Sequence, residues 1–311
     1  MSYHQNVEAH HRTTFRENVI MVAQQMQNPL RNAVTIVPGR GEFISIADLL
    51  GEKRARRAAD RDRRNPDNPT PRSRRGIFRP EEIETGEYID KADKWDMAMD
   101  PTSALFRANI AAVRRGEFDA ILGIVESENG SFSVGQTGIL GQASNGKTGS
   151  TKTPIPASQI IADGDNTGLT LDKLREVKKK LEKSNYGLEM EAQFYGLITP
   201  EQKDDLIGIA AATGTSLNAF AIEQLQTGKP TSLMGFNWIF TNRLPLDANG
   251  KRMTVFWDKS NIVAAEWEAL SGDIWNDTSQ KNLPYIYASC CIDATRVQDK
   301  GVYIVPCTEP A

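Results

Sequence analysis

Histidine is nearly missing from this chain of 311 residues. The three present, His4, His10 and His11, all fall within the first eleven positions. The body of the chain therefore has no imidazole, which excludes His-based general base catalysis, a Ser-His-Asp triad and most zinc sites from it. His-x5-His-His is read as a solvated tail rather than a metal site. Cysteine is almost as scarce: Cys290, Cys291 and Cys307 are the only three. They suit a reducing compartment better than a disulfide scaffold. Long apolar runs are lacking too, AILGIV being among the longest, so no segment approaches the ~18 residues of a membrane span. The polar start, MSYHQNVEAHH, has no apolar core of a secretion signal.

What remains is ordinary in bulk and unusual in arrangement. Hydrophobic residues make up 39% and charged residues 25%, the balance of a soluble globular protein. The length suits one large domain or about two smaller ones. The stretch that organises the chain is Asp100–Val125, DPTSALFRANIAAVRRGEFDAILGIV. Asp100 can cap a helix, and Pro101 sits at its first position, where a missing N–H costs nothing. Phe106, Ile110, Val113, Ile121 and Ile124 share one face, interrupted by Glu117 and weakened at Gly116, where a bend is expected. Such a helix would span about 39 Å, long enough to be a spine.

Upstream, Thr14-Phe15-Arg16-Glu17 is a capping box for a helix that Asn28-Pro29 ends. AVTIV (Ala33–Val37) and FISIADLL (Phe43–Leu50) are strand-like around the Pro38–Gly41 turn. From Lys53 to Arg79, eleven basic residues face three acids, a local balance of +8. From Glu81 to Asp100, eight acids face two lysines, a balance of −6. The basic segment has little apolar content and several prolines, so it must project as a loop or arm. Nucleic acid and an acidic protein surface are its two candidate partners. No aromatic residues interleave with the arginines as a single-strand platform would want, and the whole chain is acidic at −3. Protein contact is favoured, with Arg72, Arg74 and Arg75 set against Asp90, Asp93 and Asp96 of a neighbouring subunit.

Gly141–Thr148 satisfies G-x-x-x-x-G-K-T, the phosphate-binding pattern. That chemistry needs a strand delivering the loop and a helix whose N-terminus faces the phosphates. Pro154 and Pro156 stand where the helix should run, so the match is read as chance. Asp163–Gly168 resembles a calcium loop, but its twelfth position is Leu174 rather than Glu, so it is read as a turn. Thr170 caps a helix bearing Leu171, Leu174, Val177 and Leu181, with a lysine run read as a solvated face. Ala192–Thr199 is a buried strand, Pro200 opens a helix through Ile207, and Asn218–Gln226 forms another. Phe236–Phe240, Met253–Trp257, Asn261–Trp267, PYIYASCCIDATRV and GVYIVPC are strands, the last two joined by a hairpin-like turn at Gln298–Gly301. Cys290 and Cys291 are half-buried strand residues rather than nucleophiles.

FRENVIMVAQQ, TPRSRRG, EYIDKADKWDMAMDPTSALFRANIAAVRRGEFDAILG, TGLTLDKLREVKKKLE, FYGLITPEQKDDLIG, LMGFNWIFTNRLP, FWDKSNIVAA and ATRVQDKGVYIVP follow one another in an order that resembles the major capsid proteins of tailed bacteriophages. The resemblance spans nearly the whole chain and is most specific from DKADK (Asp90–Lys94) through DPTS (Asp100–Ser103) to the long helix. It implies an α+β fold of the Hong-Kong-97 type. The arm would be residues 1–32 and the extended β-hairpin loop 33–90, with its basic tip at 53–79. The spine helix and peripheral domain would be 91–199, the axial domain 200–283, and the returning strands 284–311. The implied role is a shell protein without catalytic residues, cofactor or metal, located in the virion and assembled in the bacterial cytoplasm. Its implied partners are identical subunits in hexamers and pentamers, a portal, scaffold or decoration proteins, and packaged double-stranded DNA held without sequence preference, with no membrane. A basic-arm DNA-binding protein and a P-loop nucleotide hydrolase are the alternatives from other classes.

Overall fold

A computed structural model describes residues 27–51, 69–89, 102–161, 167–188, 191–212 and 232–309. The helix expected after Thr14, most of the basic segment, Asp90, Asp93, Asp96, the Asp100 cap, most of the Asp163–Gly168 turn and the Asn218–Gln226 helix lie outside these residues. The chain divides into two compact units. One takes the described parts of Met1–Asn28, Glu82–Gly116 and Ala269–Cys290; the other takes those of Pro29–Glu81, Glu117–Glu268 and Cys291–Ala311.

The expected long helix forms as α1, Thr102–Leu122. It is continuous through Gly116, and in the first unit that glycine has a packing reason. A Cβ there would stand 2.6 Å from the Ile83 side chain, so helix and strand could not lie so close with any other residue. The helix stops at Leu122 rather than Val125 because Gly123 adopts φ +80° and donates its N–H to the Asp119 carbonyl at 2.8 Å. This left-handed cap releases Ile124 into a short strand, β5 (Ile124–Glu126), which pairs antiparallel with β6 (Phe132–Val134).

Also in the first unit, β4 (Ile83–Tyr88) runs antiparallel to β14 (Leu283–Arg296), from Tyr88 opposite Tyr285 to Ile83 opposite Cys290. The other edge of β14 takes β13 (Ile262–Asp277), a strand much longer than the Asn261–Trp267 segment expected. Gly272 of β13 lies under Phe106 of α1, 2.9 Å from a would-be Cβ. Period-two alternation then sorts the sheet, burying Ile286, Ala288 and Cys290 on the helix side.

The second unit holds a five-stranded sheet in the order β10 (Ser232–Leu233), β11 (Phe236–Phe240), β9 (Phe194–Ile198), β12 (Arg252–Asp258), β15 (Val302–Cys307). Its core is aromatic: Phe236 packs against Phe256 at 5.2 Å and against Trp238 at 6.0 Å between ring centroids. Leu174, Val177 and Leu181 of helix α2 (Leu171–Lys183) bury into the same cluster. Thr170 caps α2 by accepting the Lys173 N–H. Pro200 opens α3 (Pro200–Ala212), which continues past Ile207.

The late lysine run of α2 is not uniformly solvated, since Lys178 within it is half-buried, and Lys173, upstream of the run, is held inside. Lys173 is buried, donating to the carbonyls of Thr167, Gly168 and Pro306 at 2.8, 2.9 and 3.2 Å. Lys178 lies 3.8 Å from the centroid of the Phe194 ring, and partial burial lowers its pKa.

Neither of the two expected turns joins strands that pair with each other. The strands flanking Pro38–Gly41 do not pair with each other. β1 (Thr35–Pro38) runs parallel to the start of β13, and β2 (Phe43–Leu50) pairs antiparallel with β3 (Arg72–Phe78). Gly39 between them sits against the Trp267 ring, leaving no room for a Cβ. Likewise Gln298–Gly301 does not close a hairpin: β14 pairs with β4, whereas β15 pairs with β12. The Asn261 side chain holds this connection by donating to the Gln298 carbonyl and accepting its N–H, both at 2.9 Å.

Candidate functional site

The site candidates Arg72, Arg74 and Arg75 share strand β3, and the strand's pleat treats them differently. Arg72 faces solvent. Arg74 stands opposite Asp48 in the β2–β3 register and grips it with two bonds, Nε to Oδ1 at 2.5 Å and Nη2 to Oδ2 at 3.0 Å. The Arg74 hydrogen bond holds the Asp48 carboxyl below its usual pKa. Together with this pair, Leu49, Leu50, Arg72, Gly146 and Lys147 help line an open groove of about 570 Å³.

Arg75 points the other way. Only 8% exposed, it donates to both oxygens of Asp299, at 3.2 and 2.8 Å. Asp299 accepts from the Arg296 Nε as well, at 2.7 Å. Arg296 has no exposed surface, and its remaining donors go to three carbonyls: Ile139 at 3.3 Å, Gly141 at 2.5 Å and Thr153 at 2.7 Å. Burial alone would raise the Asp299 pKa, but the bonds from Arg75 and Arg296 outweigh it and the net shift is downward. For Arg296, burial prevails over Asp299 and lowers the guanidinium pKa. Arg75 is thus committed inside its own chain, leaving Arg72 and Arg74 as the arginines of this strand that face outward.

Gly141–Thr148 is held by this cluster and is not built as a phosphate cradle. A turn precedes Gly141, and β7 (Ala143–Asn145) and β8 (Thr151–Thr153) form a hairpin where a helix would have to follow. β7 adds onto β3, Asn145 opposite Arg75. Both motif glycines have structural duties. Gly141 gives its carbonyl to Arg296 and lies too close to the Thr137 backbone for a Cβ; Gly146 turns the hairpin at φ +87°.

Other charges, from buried to partly exposed, are paired in the same manner. Glu117, which broke the apolar stripe of α1, is buried and bonded to Arg31, which also donates to Glu266 at 2.7 Å. Arg243 bridges Asp119 and Glu126, with Nη2 at 2.5 Å from each. Asp293 differs: burial raises its pKa to about 7, against the Ala294 N–H, a bond from the Thr137 side chain and the charge of Lys152. Nothing in the local sequence marks Asp293 or Arg296 as special; only the fold buries them. Cys290 and Cys291 are buried rather than half-buried, and Cys307 is buried as well. Among the described residues no group of His, Cys, Asp and Glu could hold a metal ion, and no helix is long and apolar enough to cross a membrane.

A family model described as phage capsid protein matches residues 7–309. No curated protein matches the chain. Among solved structures, one titled Mycobacterium phage Che8 is 13% identical with a TM-score of 0.65, covering 94% of this chain and 95% of its own. The capsid of Ralstonia phage GP4 is 10% identical with a TM-score of 0.65, covering 96% and 95%. The capsid of an empty GTA particle is 16% identical with a TM-score of 0.64, covering 94% of each chain. At such identities the likeness is one of fold: the mixed α+β architecture described above is that of these capsids.

Proposed function

The chain belongs to the phage capsid protein family, and from that premise we propose how it performs its role as a major capsid protein of the phage head shell. Identical subunits build the shell, and its place is the virion. The proposed finer arrangement is hexamers and pentamers assembled in the bacterial cytoplasm. A portal, scaffold or decoration proteins, and non-specifically held double-stranded DNA complete the partner set. The proposed parts are an arm at 1–32, an extended loop at 33–90, spine and peripheral domain at 91–199, axial domain at 200–283 and returning strands at 284–311. The role is structural rather than enzymatic, stabilised by many copies of one interface closed by symmetry.

The observation that carries the contact reading is the antiparallel β2–β3 pair, whose outward side chains include Arg72 and Arg74. The proposal sets these two against Asp90, Asp93 and Asp96 of a neighbouring subunit. Opposite-sign blocks adjacent in sequence can be satisfied between copies as well as within one. Each exposed pair contributes only about 0.2–1 kcal/mol, but the contact repeats around every ring. Screening over about 8 Å at physiological salt makes assembly weaken as ionic strength rises.

Sedimentation and negative-stain microscopy of the purified chain test the shell: rings or shells are expected. Monomers alone across a wide range of salt and concentration overturn the reading. Charge exchange tests the contact. Arg72 and Arg74 to Glu, and separately Asp90, Asp93 and Asp96 to Lys, should each block assembly, and together partly restore it. Normal assembly of either set alone would move the arginines to another partner, with packaged DNA next in line. Arg75 is left out of the exchange, because a glutamate there would face Asp299 inside the fold.

A further inference from the structure

The first unit carries an open sheet face of unusual composition. Alternation along the strands places Tyr285 and Tyr287 of β14, Trp275 of β13 and Tyr88 of β4 on the side away from α1. Their rings touch in series: Tyr88 to Tyr285 at 4.5 Å, Tyr285 to Trp275 at 5.1 Å and Trp275 to Tyr287 at 5.8 Å between centroids. Gly86 makes this possible, since a Cβ there would meet the Tyr285 hydroxyl at 2.0 Å. Trp275 and Tyr88 remain 42% and 45% exposed.

Carboxylates frame the rings. Tyr88 donates its hydroxyl to Asp277 at 2.8 Å, and Tyr287 donates to Glu84 at 2.7 Å. These bonds fix the ring planes, and donation to an anion enriches the π-face with electron density. Asp273 shares the face by alternation, two residues before Trp275. No lysine or arginine falls among the described residues that alternation assigns to this side, from Ser271 to Asp277, Glu84 to Tyr88 and Tyr285 to Ser289.

A negative surface of stacked rings repels phosphate and selects a cation that can lie flat. Arginine meets both demands, stacking its guanidinium on the rings while its N–H fork reaches a carboxylate. This chain supplies such a ligand: residues 53–64 hold seven basic residues against Asp60 and Asp62. We infer that the aromatic and carboxylate face receives the arginine-rich segment, residues 53–64, of a second copy of the chain. The inference rests on the shell reading, in which every copy brings both halves of the contact and the head-to-tail arrangement closes a ring.

The test uses a fluorescent peptide of residues 53–64 and the full chain with Arg54, Arg56, Arg57 and Arg61 changed to Gln, so that its own segment does not compete. Anisotropy should report saturable binding that weakens with salt. Trp275→Ala and, separately, Asp277→Asn should each weaken it about tenfold, whereas Trp275→Phe, which keeps a ring, should lose less. Absence of binding, or binding indifferent to both Trp275→Ala and Asp277→Asn, overturns the inference. Circular dichroism confirms that the variants are folded. Sedimentation of the unmodified chain separates the two failures: shells without peptide binding sink this contact alone, whereas no assembly at all sinks the reading beneath it.

Discussion

Arg74 and Arg75 are neighbours in sequence on opposite sides of one strand, and the two sides follow different energetics. Arg74 pairs with Asp48 in water, where attraction is offset by side-chain ordering and screened by salt. Arg75 pairs with Asp299 out of water, beside an Arg296 that has no exposed surface. A buried pair need not add net stability compared with an apolar replacement, yet removing one partner leaves an unpaired charge in a poor solvent. The outward side of β3 can therefore change with little loss to the fold, and it is the side available to other molecules. The inward side fixes where the Gly-rich segment lies.

The sharpest way to break this comparison is to delete the shared anion. Asp299→Ala would leave two guanidinium groups without their counter-charge, and a destabilisation of about 3–5 kcal/mol is expected. A fall in the urea midpoint, or in soluble yield, checks it. The pH sign follows from the lowered folded-state pKa of Asp299. Its stabilisation is present above the unfolded carboxylate pKa of about 4 and is lost as pH falls through the lower folded value.

Asp293 sharpens the contrast, being a buried carboxyl with no guanidinium bonded to it. With its folded pKa raised to about 7, the folded state holds the proton more tightly than the unfolded chain. Its contribution is therefore greatest below pH about 4 and declines as pH rises toward about 7. Asp293→Asn should remove that decline, with a gain of up to a few kcal/mol at pH 8 and little change at pH 4. Urea melts at the two pH values decide it, and an unchanged slope would show that Asp293 does not titrate in this range.

Smaller effects belong to the outward side. Arg74→Ala should leave the melting temperature within error of the parent while reducing assembly at low salt, as light scattering would show. A large drop in melting temperature would erase the distinction between the two sides. Smallest of all, Lys147→Ala should change neither folding nor nucleotide affinity, because calorimetry should detect no ATP binding in the parent chain. Measurable affinity abolished by that substitution would contradict the hairpin geometry of Gly141–Thr148.

Much of the architecture was legible locally. The Phe106 to Ile121 part of the stripe marked α1, Thr170 marked the start of α2, and FNWIF marked β11 to the residue, because period and caps are properties of adjacent residues. Pairing was less legible. Pro38–Gly41 and Gln298–Gly301 carry turn chemistry, but a turn specifies a change of direction and not which strand lies alongside.

The sequence by itself determined the absence of imidazole beyond residue 11, the blocks of opposite charge, and the order of segments by which the family is known. Tertiary structure alone decided that Arg75 turns inward while Arg74 does not. It also decided that Gly141 serves a buried guanidinium and that four scattered aromatic residues form one open face. The reason is that burial and charge compensation arise between residues far apart in the chain. Asp299 lies 224 positions from Arg75, and no periodicity can relate two groups that only folding brings within reach.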